Sequence, residues 1–162
     1  MRCRRLSSSA AVALAIAGLG TAAAQAPDTT RASLRPGQKL YVVAVRENGR
    51  PDFELERRAT KAIEKKKVLG IAPKLSQADF VLVMYPEYSR PESDGSEYLI
   101  NLNGLLVPST KYLNDRDDRD RLREDAVWQE RVKPGLFRSI PEGLSGKLIG
   151  KLHETMPRDS VP

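Results

Sequence analysis

Cysteine is all but absent from this chain: the one present, Cys3, stands two residues from the N-terminus. Disulfides, thiol nucleophiles and Cys-containing zinc sites need cysteine inside the folded body, so none of them is expected. Histidine is equally scarce. His153 is alone, and the stretch HETMP lacks the second histidine that a zinc-protease helix carries. A zinc site would have to rely mostly on carboxylates, and neither a metal nor another cofactor is expected. Gly143-Leu144-Ser145-Gly146 does not have the spacing of a nucleophile elbow, and no S-x-x-K follows the leader. Gly146-Lys147 lacks both the earlier glycine and the following Ser/Thr of a phosphate loop. No catalytic residue is assigned on these grounds. Long apolar runs are missing too, since a bilayer span takes about 20 residues and the longest candidate, Ala10 to Gly20, has 11.

That short run has a distinctive setting. Arg2, Arg4 and Arg5 precede it, and Ala22-Ala23-Ala24 and Ala24-Gln25-Ala26 behind it both fit an A-x-A cleavage site. This is the layout of a secretory signal peptide. Residues 1–26 are read as a cleaved leader, and export to the periplasm or beyond is the expectation. Cys3 precedes the apolar run, whereas a lipoprotein signal has its cysteine just after it. Cleavage after Ala26 leaves 162 − 26 = 136 residues, a normal size for one domain. The excess of basic residues also shrinks, from 27 against 21 to 24 against 21, once three leader arginines are removed. A nucleic-acid binder shows a stronger, clustered excess, so nucleic acid is not an expected partner.

Residues 27–36 read as a flexible arm, 37–157 as a single α+β domain and 158–162 as a disordered tail. KLYVVAV, Lys39 to Val45, is nearly all apolar, as in a strand covered on both faces. Asp52 is a good N-cap for FELERRATKAIEKKK, where Leu55, Ala59, Ala62 and Ile63 form one apolar stripe. Val68 to Ala72 reads as a short strand and Phe80 to Tyr85 as a central one, so a β-α-β unit is expected. Pro86 to Gly95 reads as loop. In SEYLINLNGLLVP, Asn103-Gly104 is a hairpin signal; the alternative is one long strand with a bulge at Gly104. Asn114 to Glu124 reads as a short exposed helix with Asp115/Arg119 and Asp117/Arg121 spaced for ion pairs. Ala126 to Val132 continues that helix or forms a strand with Ala126, Trp128 and Val132 inward; the strand is preferred. Ser139-Ile140-Pro141-Glu142 matches a capping box, and Leu144, Leu148, Ile149, Leu152 and Met156 give a second helical stripe. The whole is a mixed sheet with two main amphipathic helices on one face.

The charge-dense stretch fails as a calcium loop. Counted from Asp115, the fifth position is Arg119, the sixth Asp120 and the twelfth Ala126, where an EF-hand needs a ligand, glycine and glutamate. Two groups remain as candidate binding residues. Tyr85, Tyr88, Tyr98 and Tyr112 flank the middle strands as an aromatic patch. Arg57, Arg58, Lys61 and Lys65, with Lys66 and Lys67, give the first helix a basic face suited to an acidic envelope polymer or lipid headgroups.

The segment KLYVVAV, helix, VLGIA, ADFVLVM is similar to a β-α-β half-domain of bacterial envelope proteins. It resembles the amino-terminal domain of TolB-type translocation proteins and lipoproteins related to the curli secretion channel, in which an Ala-Asp pair, here Ala78-Asp79, heads an apolar strand. The resemblance implies that Trp128 and Leu144 to Met156 fill a closing strand and helix, and it implies a role in envelope assembly or binding. It carries no active site. The expected function is therefore a non-catalytic exported domain that binds an envelope protein or acidic envelope polymer. The alternative is a small secreted carboxylate-dependent hydrolase, in which Asp79, Glu87 or Asp125 would converge on a pocket.

Overall fold

The computed structural model describes residues 34–89, 98–135 and 140–156; the leader, most of the arm and the tail lie outside them. Their core is a five-stranded mixed sheet. The strands are β1 (Lys39–Ala44), β2 (Gly70–Ile71), β3 (Phe80–Tyr88), β4 (Leu99–Pro108) and β5 (Trp128–Val132), in the spatial order β2-β1-β3-β4-β5. β1 runs parallel to β2 and β3, while β3–β4 and β4–β5 are antiparallel. The helices are α1 (Phe53–Lys66), α2 (Ser109–Asp115), α3 (Arg119–Glu124) and α4 (Pro141–Glu154). This is the α+β class that the sequence points to.

α1 follows β1 because Asn48-Gly49 and Pro51 end the strand and Asp52 restarts the chain as helix. The Asp52 carboxylate accepts the Leu55 N–H at 3.1 Å, satisfying a first-turn donor. Leu55, Ala59 and Ile63 bury the inner stripe, and Lys67 closes the helix in the left-handed region at φ 57°. α4 lies beside α1 on the same sheet face, burying Leu144, Leu148, Ile149 and Leu152. With Leu40, Val42, Leu82, Met84, Leu102 and Leu106 they form the main core, which Leu34 also joins. The opposite sheet face carries a smaller cluster: Val81, Val83, Tyr85, Leu105 and Val107, covered by Tyr112 of α2 and Leu122 of α3.

Several elements differ from the sequence expectation. Asn103-Gly104 is no hairpin turn. β4 is one strand through both residues, as the alternative had it, but its bulge lies between Glu87 and Tyr88 of β3 rather than at Gly104. Gly104 lies under α4, where a Cβ would come within 2.7 Å of Leu148 Cδ2; the glycine serves close packing, and tertiary contact overrides the turn preference. β3 also runs past Pro86 into the expected loop. The Met84 carbonyl faces β1, accepting from Val45 N–H. Pro86, two residues on, turns its nitrogen the same way, beyond the end of β1, so no ladder bond is lost.

The acidic and basic run forms two short helices broken at Arg116–Asp118. The break undoes the expected pairs. Arg121 instead meets Asp115 and Asp118, and Arg123 meets Asp120. β5 confirms the strand reading, with Trp128 and Val132 toward α4, but Ala126 packs on the opposite cluster. The capping box expected from Ser139 would start α4 at Ile140, whereas α4 begins at Pro141. Ile140 is the N-cap without a side-chain bond, and Ser139 lies outside the described residues.

Candidate functional site

The second sheet face is apolar at one end and polar at the other. Side chains alternate along a strand. The face that shows Val83 and Tyr85 therefore continues into Glu87, Asn101, Asn103 and Arg131, of which both asparagines are buried. Beside this row, a groove of ≈ 690 Å³ opens between the β1–α1 connection and the two short helices. Tyr41, Tyr85, Tyr112, Phe53, Glu56 and Arg119 shape it. Its size falls within the roughly 300–1,000 Å³ of ligand pockets.

Tyr85 joins groove and row. Its hydroxyl accepts the Arg123 Nε–H at 3.1 Å. The guanidinium carbons of Arg119 and Arg123 lie 5.2 Å and 5.7 Å from the ring centroid, within cation–π range. Arg119 reaches further, donating from Nη2 to the Arg46 carbonyl at 3.1 Å, and so ties α3 to the β1–α1 connection across the groove. The hydroxyl of Tyr85 holds the Arg123 guanidinium above its usual range.

Two groove side chains titrate away from their ordinary values. Glu56 projects from α1 to accept the Ala44 N–H at 3.1 Å. Burial pushes its carboxyl above 4.5, and the neighbouring Asp52 adds to this, while the Ala44 bond opposes it. Burial likewise pushes the Tyr112 phenol up. A groove with a few convergent polar groups, some of them perturbed, is the default place to look for a ligand.

The polar row is a hydrogen-bonded ladder. Asn101 Nδ2 donates to Glu87 Oε2 at 2.9 Å and Asn103 Nδ2 to the same oxygen at 3.5 Å. Arg131 Nε donates to Asn103 Oδ1 at 3.1 Å. The Asn101 amide keeps the Glu87 carboxyl below 4.5; burial works against it, and Asn103, Arg131 and Arg123 add to the lowering. An ionised carboxylate only accepts, so Asn101 must turn Nδ2 toward it and Oδ1 away. That Oδ1 is shut from solvent, on a residue 2% exposed, and has no partner among the described residues. Leaving such an acceptor unpaired costs about 1–3 kcal/mol.

Of the sequence candidates, Tyr85 and Tyr112 meet in the groove. Tyr88 lines a separate hollow of ≈ 570 Å³ with Arg46, Asp52 and Glu142, and Tyr98 is exposed at the start of β4. Arg57 and Arg58 are paired with Glu54 at 2.7 Å and 2.8 Å, so the basic face of α1 is partly neutralised from within. Arg57 and Lys61 border a third hollow, of ≈ 410 Å³, and Lys65 is exposed in the last turn. Tyr41, Arg119, Asn101, Asn103 and Arg131 were not singled out from sequence. Alternation within KLYVVAV was the available sign for Tyr41. The Asn103-Gly104 turn signal hid the asparagines.

The three acids of the hydrolase alternative stand on different partners. Asp79 accepts the Lys39 N–H at 2.7 Å, and Asp125 pairs with Lys111 at 3.2 Å. Asp79 and Glu87 sit at opposite ends of β3, about 27 Å apart at the rise of an extended strand. Among the described residues no group of three or more His, Cys, Asp or Glu gathers, and no helix is long and apolar enough to cross a membrane.

No family model and no curated protein matches the chain. Solved structures similar to it include two of PelC. One is a single-substitution variant of the PelC dodecamer from Paraburkholderia phytofirmans, 20% identical, covering 78% of this chain and 92% of that one at a TM-score of 0.46. The other is a PelC dodecamer from the same organism in another crystal form, 18% identical, covering 76% and 92% at 0.44.

Proposed function

We propose that the chain is an exported, non-catalytic domain of the bacterial envelope that binds an envelope component in the groove of Tyr41, Tyr85 and Tyr112. Export rests on the leader pattern of residues 1–26. The observation that carries the binding role is the groove itself: three tyrosines and a phenylalanine around ≈ 690 Å³, with Arg119 stretched across it. Aromatic walls give contact area at low entropic cost, and Arg119 supplies a charge that no carboxylate neutralises among the described residues. The separation of Asp79 from Glu87 gives the hydrolase reading nothing to build on.

The test has two readouts. Mass spectrometry of protein from the native cell should find an N-terminus near residues 25–27. Co-sedimentation of that protein with isolated envelope fractions should fall at least ~10-fold, the effect of ~1.4 kcal/mol, in Tyr41→Ala and Arg119→Ala variants. An intact initiating methionine overturns export, and unchanged or absent co-sedimentation overturns the groove.

A further inference from the structure

We propose that the segment after α4, residues 157–162, folds back and seats Val161 in an apolar notch between the last turns of α1 and α4. The notch is lined by six apolar side chains, Ile63, Val68, Leu69, Ile149, Leu152 and Met156, together with Lys66 and His153. All of the six but Val68 are buried members of the main core, so the notch opens directly onto that core. Its room, ≈ 10 Å³, is about that of one water or one methyl group. A buried water needs about two to four polar partners, and walls of this kind supply few; a methyl group needs none. The notch is too small for a separate ligand, and it fits the tip of one branched aliphatic side chain.

The chain beside the notch offers one such side chain. Met156, the last described residue, is itself a wall, and residues 157–162 read PRDSVP. Pro157 cannot continue the helix and suits the second position of a turn over Met156 to Asp159. That turn reverses the chain, and Val161 then lies two residues, about 7 Å, beyond it, over the wall from which the chain left. The other segment that approaches is the arm, since Gly37 N–H donates to the carbonyl of Val68, a wall residue. Residues 27–33 read PDTTRAS and bring no branched aliphatic side chain. Charge agrees with the tail as occupant. Lys65, Lys66 and Lys67, at the end of α1, are exposed and pair with no acid among the described residues. Asp159, between the turn and Val161, brings a carboxylate to them, and Arg158, at the tip of the turn, is carried away.

The tyrosine groove takes Phe53 and Glu56 from the start of α1, and the notch takes Ile63 and Lys66 from its end, so either reading can fail while the other stands. In NMR spectra of the folded protein, the Val161 methyl groups should show nuclear Overhauser contacts to the methyls of Ile63 and Leu152. Val161→Asp should speed hydrogen exchange at the Thr155 and Met156 amides, which close α4 on the carbonyls of Leu152 and His153, by about 5-fold, ~1 kcal/mol. Asp159→Lys should speed it by a smaller factor that fades as salt rises. Unchanged exchange in β3 checks that the core of each variant is intact. Val161 methyls without contacts to Ile63 and Leu152 would overturn the proposal, as would exchange at Thr155 and Met156 that is the same in Val161→Asp as in the parent. So would contacts that appear only at high protein concentration, which would put a second copy in the notch.

Discussion

Glu56 and Glu87 are chemically identical and are pushed in opposite directions. Burial dominates at Glu56 and raises its pKa above 4.5, while donated amide hydrogens dominate at Glu87 and lower it. The signs give opposite stability profiles. The folded-state value of Glu56 lies above its unfolded one, so its contribution is full below about pH 4.5 and is lost as pH rises through the folded value. Glu56→Gln keeps an oxygen for the Ala44 N–H and removes the buried charge. It should raise the melting temperature near neutral pH and lose that advantage in acid, as thermal melts across pH will show. Glu87 works the other way. Its contribution is present above about pH 4.5 and is lost as pH falls through its lowered value. Asn101→Ala removes the first cause of that lowering, so the Glu87 carboxyl, followed by ¹³C NMR, should titrate at higher pH than in the parent protein. Neither effect was legible in the sequence, because both depend on which backbone or amide hydrogens the fold delivers to a carboxylate.

At the scale of elements, the legible parts are those whose signals are local. Asp52 followed by a periodic apolar stripe fixes α1, and the observed cap is the expected one. Asp52 is 6% exposed and also meets Arg46 at 3.6 Å. Asp52→Ala should therefore cost about 1–2 kcal/mol in urea unfolding, at the upper part of the range for N-caps. Gly104 shows the limit of local reading. Asn103-Gly104 has the composition of a tight turn, yet Gly104 is set in β4 because Leu148 of α4 lies above it. Gly104→Val would favour the strand by intrinsic preference, and an isolated strand would gain from it. In this protein it should instead destabilise by about 1–3 kcal/mol through overpacking, measured in the same urea series. α2 was illegible for a related reason: seven residues with one buried side chain, Tyr112, leave no periodic stripe to find.

The whole molecule has two covers of unequal strength on one sheet. One face is packed by α1 and α4, 14 residues each, and the other by α2 and α3, of seven and six. Helices that short have no stability of their own, so the second cover is held by Tyr112, Leu122 and the arginines on Tyr85. The groove lies under this weaker cover. The sequence showed the strong layer well, through two apolar stripes and two apolar strands. It did not show the groove, whose walls come from β1, β3, α1, α2 and α3 and meet only once the sheet has formed. Leu122, 1% exposed, is the main apolar tie of α3. Truncating such a residue costs about 2–5 kcal/mol when the cavity remains, but here the thin cover can detach instead. Leu122→Ala should therefore speed hydrogen exchange in α2 and α3 toward that of open chain, while amides of β3 and α1 keep their protection. Uniform loss of protection over both faces would show that the two covers unfold as one and that the groove wall is as firm as the core.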